Sequence, residues 1–330
     1  MEEESFTYAM QLVNSNVLSM AMYSAIELGI FDIIAKAGEA AKLSAKDIAA
    51  QLPLLACHSI IDCTVVADQH ALPIHLQRLY GMNAVAKYFA SIDDGAGSLG
   101  PFMMLAQDKA ALQTWRMQFW KELGSPFNRI HGKQVFEDFH MNSSFNQLFM
   151  AAMTNRATLI TKKIVESYKG FENINKLVDV GGGVGATLNI ITSKYPHIKG
   201  INFDLPHVIE HSSPYPESAL NVWSMWEEIY MFESVPQGDA ILMMCVLHDW
   251  SDEWCLKVLK NCYVAIPNDG KVIVEEVLPF EPLTTGAVKS ISQFDRSEGE
   301  FMALAKGVGF ISGIRYTCFV CDLWVMEFFK

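Results

Sequence analysis

Leu177-Val178-Asp179-Val180-Gly181-Gly182-Gly183-Val184-Gly185 reads as an apolar strand running into a glycine turn, with Ala186 opening a helix behind it. Glycines are needed where the backbone bends sharply and meets a ligand with no Cβ in the way. Gly181, Gly183 and Ala186 satisfy G-x-G-x-x-A, the fingerprint of dinucleotide binding. Two features point away from a dinucleotide. Asp179 stands just before the glycines, where it would repel a pyrophosphate, and the turn lies mid-chain behind about 170 residues of helical pattern. An acidic strand end beside glycines suits a cationic cofactor, such as a sulfonium. Asp204 closes the next strand in Ile201-Asn202-Phe203-Asp204-Leu205-Pro206, 19 residues past Gly185. A carboxylate there accepts both hydroxyls of a ribose; helix capping before Pro206 is its plainer role.

Around this turn the pattern alternates strand with helix. Strands are predicted at 177–180, 198–204, 239–246, 270–278, 313–319 and 323–329, and helices at 186–194, 252–266 and 298–307. That alternation is the signature of an α/β, doubly wound, mostly parallel sheet. A chain of 330 residues exceeds what one core comfortably serves, so a second domain is expected. Residues 1–95 read as a winged-helix domain, and 96–330 as the sheet domain with a helical pocket-forming segment at 96–170. The stretch SFTYAMQLVNSNVLSMAMYSAIELGIFDIIAKA is apolar on more than one helical face, so it should bury against another subunit or domain. Ser44 and Asp47 are spaced to cap a second helix. A possible hairpin before Arg78-Leu79-Tyr80-Gly81 would supply the wing. Met and aromatic residues crowd 102–153 (Phe102, Met103, Trp115, Phe119, Trp120, Met150), as core filler or as walls for an aromatic ligand.

Composition excludes several classes. The net charge is −12, and between Lys46 and Arg78 there is neither Lys nor Arg, so the winged helix lacks the cations that phosphate contacts require. Dimerisation, without nucleic acid, is its expected use. Seven scattered cysteines argue for reduced thiols. Cys318-Phe-Val-Cys321 has metal-binding spacing but reads as a strand with no second ligand pair, so no metal is expected. No run reaches the roughly 18 apolar residues of a membrane helix, and the opening Met1-Glu2-Glu3-Glu4 is acidic where a signal peptide needs positive charge. A cytoplasmic protein without membrane association is expected.

LVDVGGGVGATLNIITSKYPHIKGINFDLPHVIE, GDAILMMCVLHDWSDEWCLKVLKNCY and GKVIVEEVLP, with AMQLVNSNVLSMAMYSAIELGIFDIIAKAG, LYGMNAVAKYF and the tail EFMALAKGVGF…MEFFK, resemble the plant caffeic-acid/flavonoid-type O-methyltransferases. The resemblance implies an N-terminal winged-helix dimerisation domain and a Rossmann-like methyltransferase domain. It also implies S-adenosyl-L-methionine as cofactor and a small phenol of phenylpropanoid or flavonoid type as substrate, with aromatic amines in some relatives.

Methyl transfer to a phenol asks the protein to position the hydroxyl and take its proton, which an unperturbed phenol holds to a pH near ~10. His248 follows an apolar strand at its carboxyl end, where ligands bind in such sheets, and it matches the family's base. By resemblance one carboxylate orients the imidazole. It falls at Glu275 or Glu276, of which only one can face His248 because neighbouring strand residues point oppositely; Glu276 is favoured. A second carboxylate falls at Asp295, one methylene shorter than the family's glutamate. The same resemblance assigns Gly181, Gly183, Asp204, Leu205, Tyr230, Met231 and Met244 to the cofactor.

Tyr230 replaces the aspartate of the family's GGDMF, and Met244 the lysine of MKW-I-CHDW, which pairs with the cofactor's carboxylate. Segments 53–77 and 283–294 look shortened. These departures motivate a second reading, a catalytically weakened homologue that serves as a dimerisation partner. An NAD-linked oxidoreductase rests on glycine spacing alone, and a DNA-binding regulator on the winged helix alone.

Overall fold

The computed structural model describes residues 15–38, 40–48, 52–68, 75–91, 95, 97–109, 111–112, 143–209, 220–224, 234–278, 296–310, 314–321 and 323–330. The chain divides into two compact units, Met1–Arg156 and Ala157–Lys330.

In the first unit, α1 (Ser15–Glu27) and α2 (Ile30–Lys36) join at Gly29, whose φ of 65° lets the chain turn without a Cβ penalty. A short strand β1 (Leu43–Ser44) leads into α3 (Ala45–Ile48). Its capping box is reciprocal: the Asp47 N–H donates to Ser44 Oγ at 3.2 Å, and the Ser44 N–H donates to Asp47 Oδ2 at 2.9 Å. Pro53 opens α4 (Pro53–Cys57), where a missing N–H costs nothing. The wing follows as β2 (Asp62–Asp68) and β3 (His75–Gly81), an antiparallel pair with β1 on the free edge of β3. Arg78–Gly81 therefore lie within the second wing strand rather than beyond the hairpin. Met22, Ala25, Phe31, Ile34, Leu55 and Tyr80 form the core, while Val17, Met20 and Leu28 of the α1 region are 49%, 63% and 65% exposed. α5 (Gly100–Ala106) belongs to this unit: Met103 packs on its core, and the Ser98 N–H donates to Asn155 Oδ1 at 2.9 Å. The compact division falls after residue 156, inside α6 (Ser143–Ser167).

In the second unit α6 ends and β4 (Lys176–Val180) begins the sheet, followed by α7 (Ala186–Lys194), β5 (Lys199–Asp204), α8 (Pro206–Ile209) and β6 (Leu220–Ser224). Then come β7 (Ala240–Met244), α9 (Asp252–Ala265), β8 (Lys271–Glu276), α10 (Glu298–Val308), β9 (Ile314–Val320) and β10 (Leu323–Phe329). The strand order is β6-β5-β4-β7-β8-β10-β9, parallel except for the reversed β10. β6 was not among the predicted strands. Alternation along each strand sorts the two faces. Val178, Val180, Val272 and Val274 pack under α9 and α10, whereas Leu177, Leu242, Ile273 and Val325 pack under α6 and α7. The order reverses between β4 and β7, which leaves a crevice at their carboxyl ends, where open α/β sheets bind ligands.

Candidate active site

The crevice has two walls. One is the glycine turn after β4, in which Gly181, Gly183 and Gly185 hold φ of 74°, 59° and 84°. A Cβ on Gly182 would meet Asn202 Oδ1 at 2.1 Å and Asp179 Oδ2 at 2.7 Å, so glycine is obligatory there. A Cβ on Gly183 would meet nothing within 4 Å, which marks the open side of the cradle. Asp204 fixes the turn: its Oδ2 accepts the Gly183 N–H at 2.7 Å, and its Oδ1 accepts the Leu205 N–H at 2.6 Å. Burial raises the Asp204 pKa while these two N–H groups pull it back. Asp179, buried beside it, is pushed up to about 7, first by burial and then by the Asp204 charge. Asp179 Oδ2 and Asn202 Oδ1 have no hydrogen-bond partner. Orphaned buried acceptors around an open glycine cradle fit a ligand that brings hydrogen-bond donors or positive charge.

The other wall is the turn after β7. Cys245 adopts φ 54°, unusual for a residue with a Cβ, and its N–H donates to the Glu275 carbonyl at 2.8 Å. The chain then forms a single 3₁₀ turn, Leu247–Asp249. His248 Nδ1 lies 2.7 Å from Glu276 Oε2. A carboxylate only accepts, so the proton sits on Nδ1 and Nε2 carries the lone pair. Asp249 Oδ1 lies 3.5 Å from Nε2, placed to stabilise an imidazolium. Glu276 is itself pinned, its Oε1 accepting the Leu247 N–H at 2.8 Å and the His248 N–H at 3.4 Å.

Arg296 is the residue the sequence reading passed over. Its guanidinium is 4% exposed and donates to the carbonyls of Leu247 and Trp250, each at 2.7 Å, and to Asp252 Oδ1 at 2.9 Å. One planar fork thus clamps both ends of the turn that carries His248. An arginine next to the singled-out Asp295 was the available signal. Glu275, one residue from Glu276, faces the α6–α7 side. It is buried, its Oε2 lacks a partner, and burial, then Asp179 and Glu276, push it up to about 8. Met244 shares that face, with Thr187 and Thr161 hydroxyls 3.6 and 3.9 Å from its Sδ.

The structure therefore gathers Gly181, Gly183, Asp204, Leu205, Met244, His248 and Glu276 along one edge of one sheet. Tyr230, Met231 and Asp295 lie outside the described residues, as does segment 283–294.

Residues 109–311 match the O-methyltransferase domain and residues 10–91 the O-methyltransferase dimerisation domain. The chain belongs to this family. Across the whole chain this O-methyltransferase is 45% identical to catechol O-methyltransferase 1 of Solanum lycopersicum, with 96% of that protein covered. It is 46% identical to anthranilate N-methyltransferase of Ruta graveolens, again over the whole chain and 94% of that protein. The tomato alignment runs over 369 positions against 330 residues here, so that relative carries segments with no counterpart in this chain. Human N-acetylserotonin methyltransferase, solved in complex with SAM, shares the fold at TM-score 0.79 and 18% identity, over 99% of this chain and 97% of that one. The first region covers β4 to α10, and the second covers α1 and the wing.

Proposed function

We propose that this O-methyltransferase transfers a methyl group from S-adenosyl-L-methionine to the hydroxyl of a small phenol of phenylpropanoid or flavonoid type. The observation that carries this is the pairing, across one crevice, of an open glycine cradle lined by acids with a histidine whose tautomer is set by a buried glutamate. Bound S-adenosyl-L-methionine would supply an activated methyl on a sulfonium. Gly181, Gly183 and Leu205 would shape its bed, and Asp204 would accept its ribose hydroxyls. His248 Nε2 takes the proton of the acceptor hydroxyl, and Glu276 and Asp249 stabilise the imidazolium that results. Tyr230, Met231 and Met244 remain assigned to the cofactor, and Asp295 to steering the substrate, on the family motif. An aromatic amine is a second acceptor class, favoured by identity to the Ruta N-methyltransferase as high as that to the tomato O-methyltransferase.

The reading includes a homodimer, supported by the match at 10–91 and by the exposed apolar residues Val17, Met20 and Leu28. It includes a cytoplasmic site of action, supported by seven free thiols. Among the described residues no single helix is long and apolar enough to cross a membrane.

Calorimetric titration with S-adenosylhomocysteine tests the assignment. Saturable binding with a dissociation constant in the micromolar range is expected. No heat up to millimolar ligand would reduce the glycine cradle to a relic of the fold and leave dimerisation as the function.

A further inference from the structure

The strained turn after β7 does more than carry His248. It brings the Cys245 thiol, the His248 imidazole and the Glu276 carboxylate together, with one ligand-type atom from each lying within 4.8 Å of the others. Two of the three come from one turn at i and i+3, and the third from the end of the neighbouring strand β8. The geometry points to a binding site for a thiophilic divalent cation, zinc above all, at which the metal occupies the histidine and so silences methyl transfer. Nothing in the activity requires such a metal; the site acts as a brake, and only that consequence rests on the reading of His248 as the base.

The donor set is right for zinc and wrong for magnesium or calcium, since thiolate and imidazole are soft or borderline ligands. Tetrahedral zinc, with bonds of about 2.0–2.3 Å, needs its ligand atoms roughly 3–4 Å apart, an adjustment on the order of 1 Å from atoms that lie within 4.8 Å of one another, with Nδ1 and Oε2 at 2.7 Å. Charge balances as well. Zinc displaces the thiol proton to solvent, and thiolate and carboxylate together then cancel its two charges, so a half-buried site is left neutral.

The surroundings hold the ligands in place. Glu276 keeps Oε1 on the Leu247 and His248 amides, leaving Oε2 for the cation. With Nδ1 as the histidine ligand, the imidazole proton moves to Nε2, where Asp249 Oδ1 at 3.5 Å is placed to accept it, the usual arrangement behind a metal-bound histidine. Cys245 and His248 are each partly accessible, so a cation can enter and a water can fill the fourth position.

Cobalt(II) reads the site without reference to turnover. Titrated into the purified full-length protein under reducing-agent-free conditions, it is expected to give a saturable near-ultraviolet thiolate-to-cobalt charge-transfer band that zinc displaces. Cys245→Ser should abolish that band, whereas Cys321→Ser, which alters an exposed thiol, should keep it. Turnover should fall at least about tenfold with stoichiometric zinc and return with chelator in wild type, and Cys245→Ser should need about tenfold more zinc. Absence of a saturable band in wild type, or its persistence in Cys245→Ser, overturns the site. Because the band is independent of catalysis, a protein that binds cobalt yet methylates nothing would refute the proposed function and leave the metal site standing.

Discussion

Glu275 and Glu276 are adjacent in sequence, equally buried, and opposite in circumstance. Glu276 points to the α9–α10 side and has every oxygen engaged, one on two amides and the other on His248. Glu275 points to the α6–α7 side among apolar residues, with Oε2 unpartnered and Asp179 near enough to raise its pKa. The contrast extends to whole walls of the crevice. The His248 turn is held by Glu276 and Arg296, the fixed geometry that the proposed base requires. The glycine wall instead keeps buried acceptors on Asp179 and Asn202, beside Gly182, that no hydrogen bond satisfies. Catalytic groups need fixed geometry before substrate arrives, whereas a binding wall gains affinity from what it leaves unpaired.

Glu276→Gln should break the comparison most sharply. The amide keeps an acceptor for the Leu247 N–H but turns an N–H₂ toward His248, favouring the wrong tautomer. Turnover should fall roughly 10³–10⁴-fold with the fold retained by circular dichroism; a loss below about tenfold would disconnect Glu276 from the base.

Next in size, Arg296→Met leaves the Leu247 and Trp250 carbonyls without their charged donor. A stability loss on the order of 2–4 kcal/mol in chemical denaturation is expected, with a fall in kcat that Arg296→Lys does not rescue, since an ammonium cannot span both carbonyls. Rescue by lysine would show that charge alone matters.

Glu275→Gln should act in the other direction. An acid whose folded pKa of about 8 exceeds its ordinary 4.5 takes up a proton on folding, so its stability contribution declines as pH rises between those values. The amide should therefore gain roughly 4 kcal/mol at pH 8 and under about 1 kcal/mol at pH 5 in the absence of ligand, read from thermal unfolding. Equal effects at both pH values would mean that Glu275 is ionised throughout.

Met244→Lys is the smallest expected effect. The new ammonium restores a cation on the Glu275 face, and S-adenosylhomocysteine should bind about tenfold tighter by calorimetry. Unchanged affinity would detach Met244 from the cofactor.

Much of this molecule is local. Helix 186–194 was readable to the residue, and the remaining predicted elements of the sheet domain to within two residues, because buried parallel strands and amphipathic helices write their period directly into the chain. The residues of β6 lie in a polar, irregular stretch and gave no such period. The glycine turn, Asp204, His248 and the α3 capping box were legible for the same reason, since each depends on a few neighbouring residues. Which glutamate meets the base was not. Alternation said only that one of the pair could, and the answer came from α9 and α10 packing on the face that Val272, Val274 and Glu276 share. Arg296 likewise lies 46 residues from the nearer carbonyl it clamps, and Cys245 joins His248 and Glu276 only because β7 and β8 are neighbours in the sheet. The sequence alone determined every sheet-domain strand but β6, the glycine turn and the place of His248 at a strand end, through periods and motifs a few residues long. Tertiary structure alone decided which polar groups are satisfied and which are not, because burial and partnering are properties of packed faces and not of neighbouring residues.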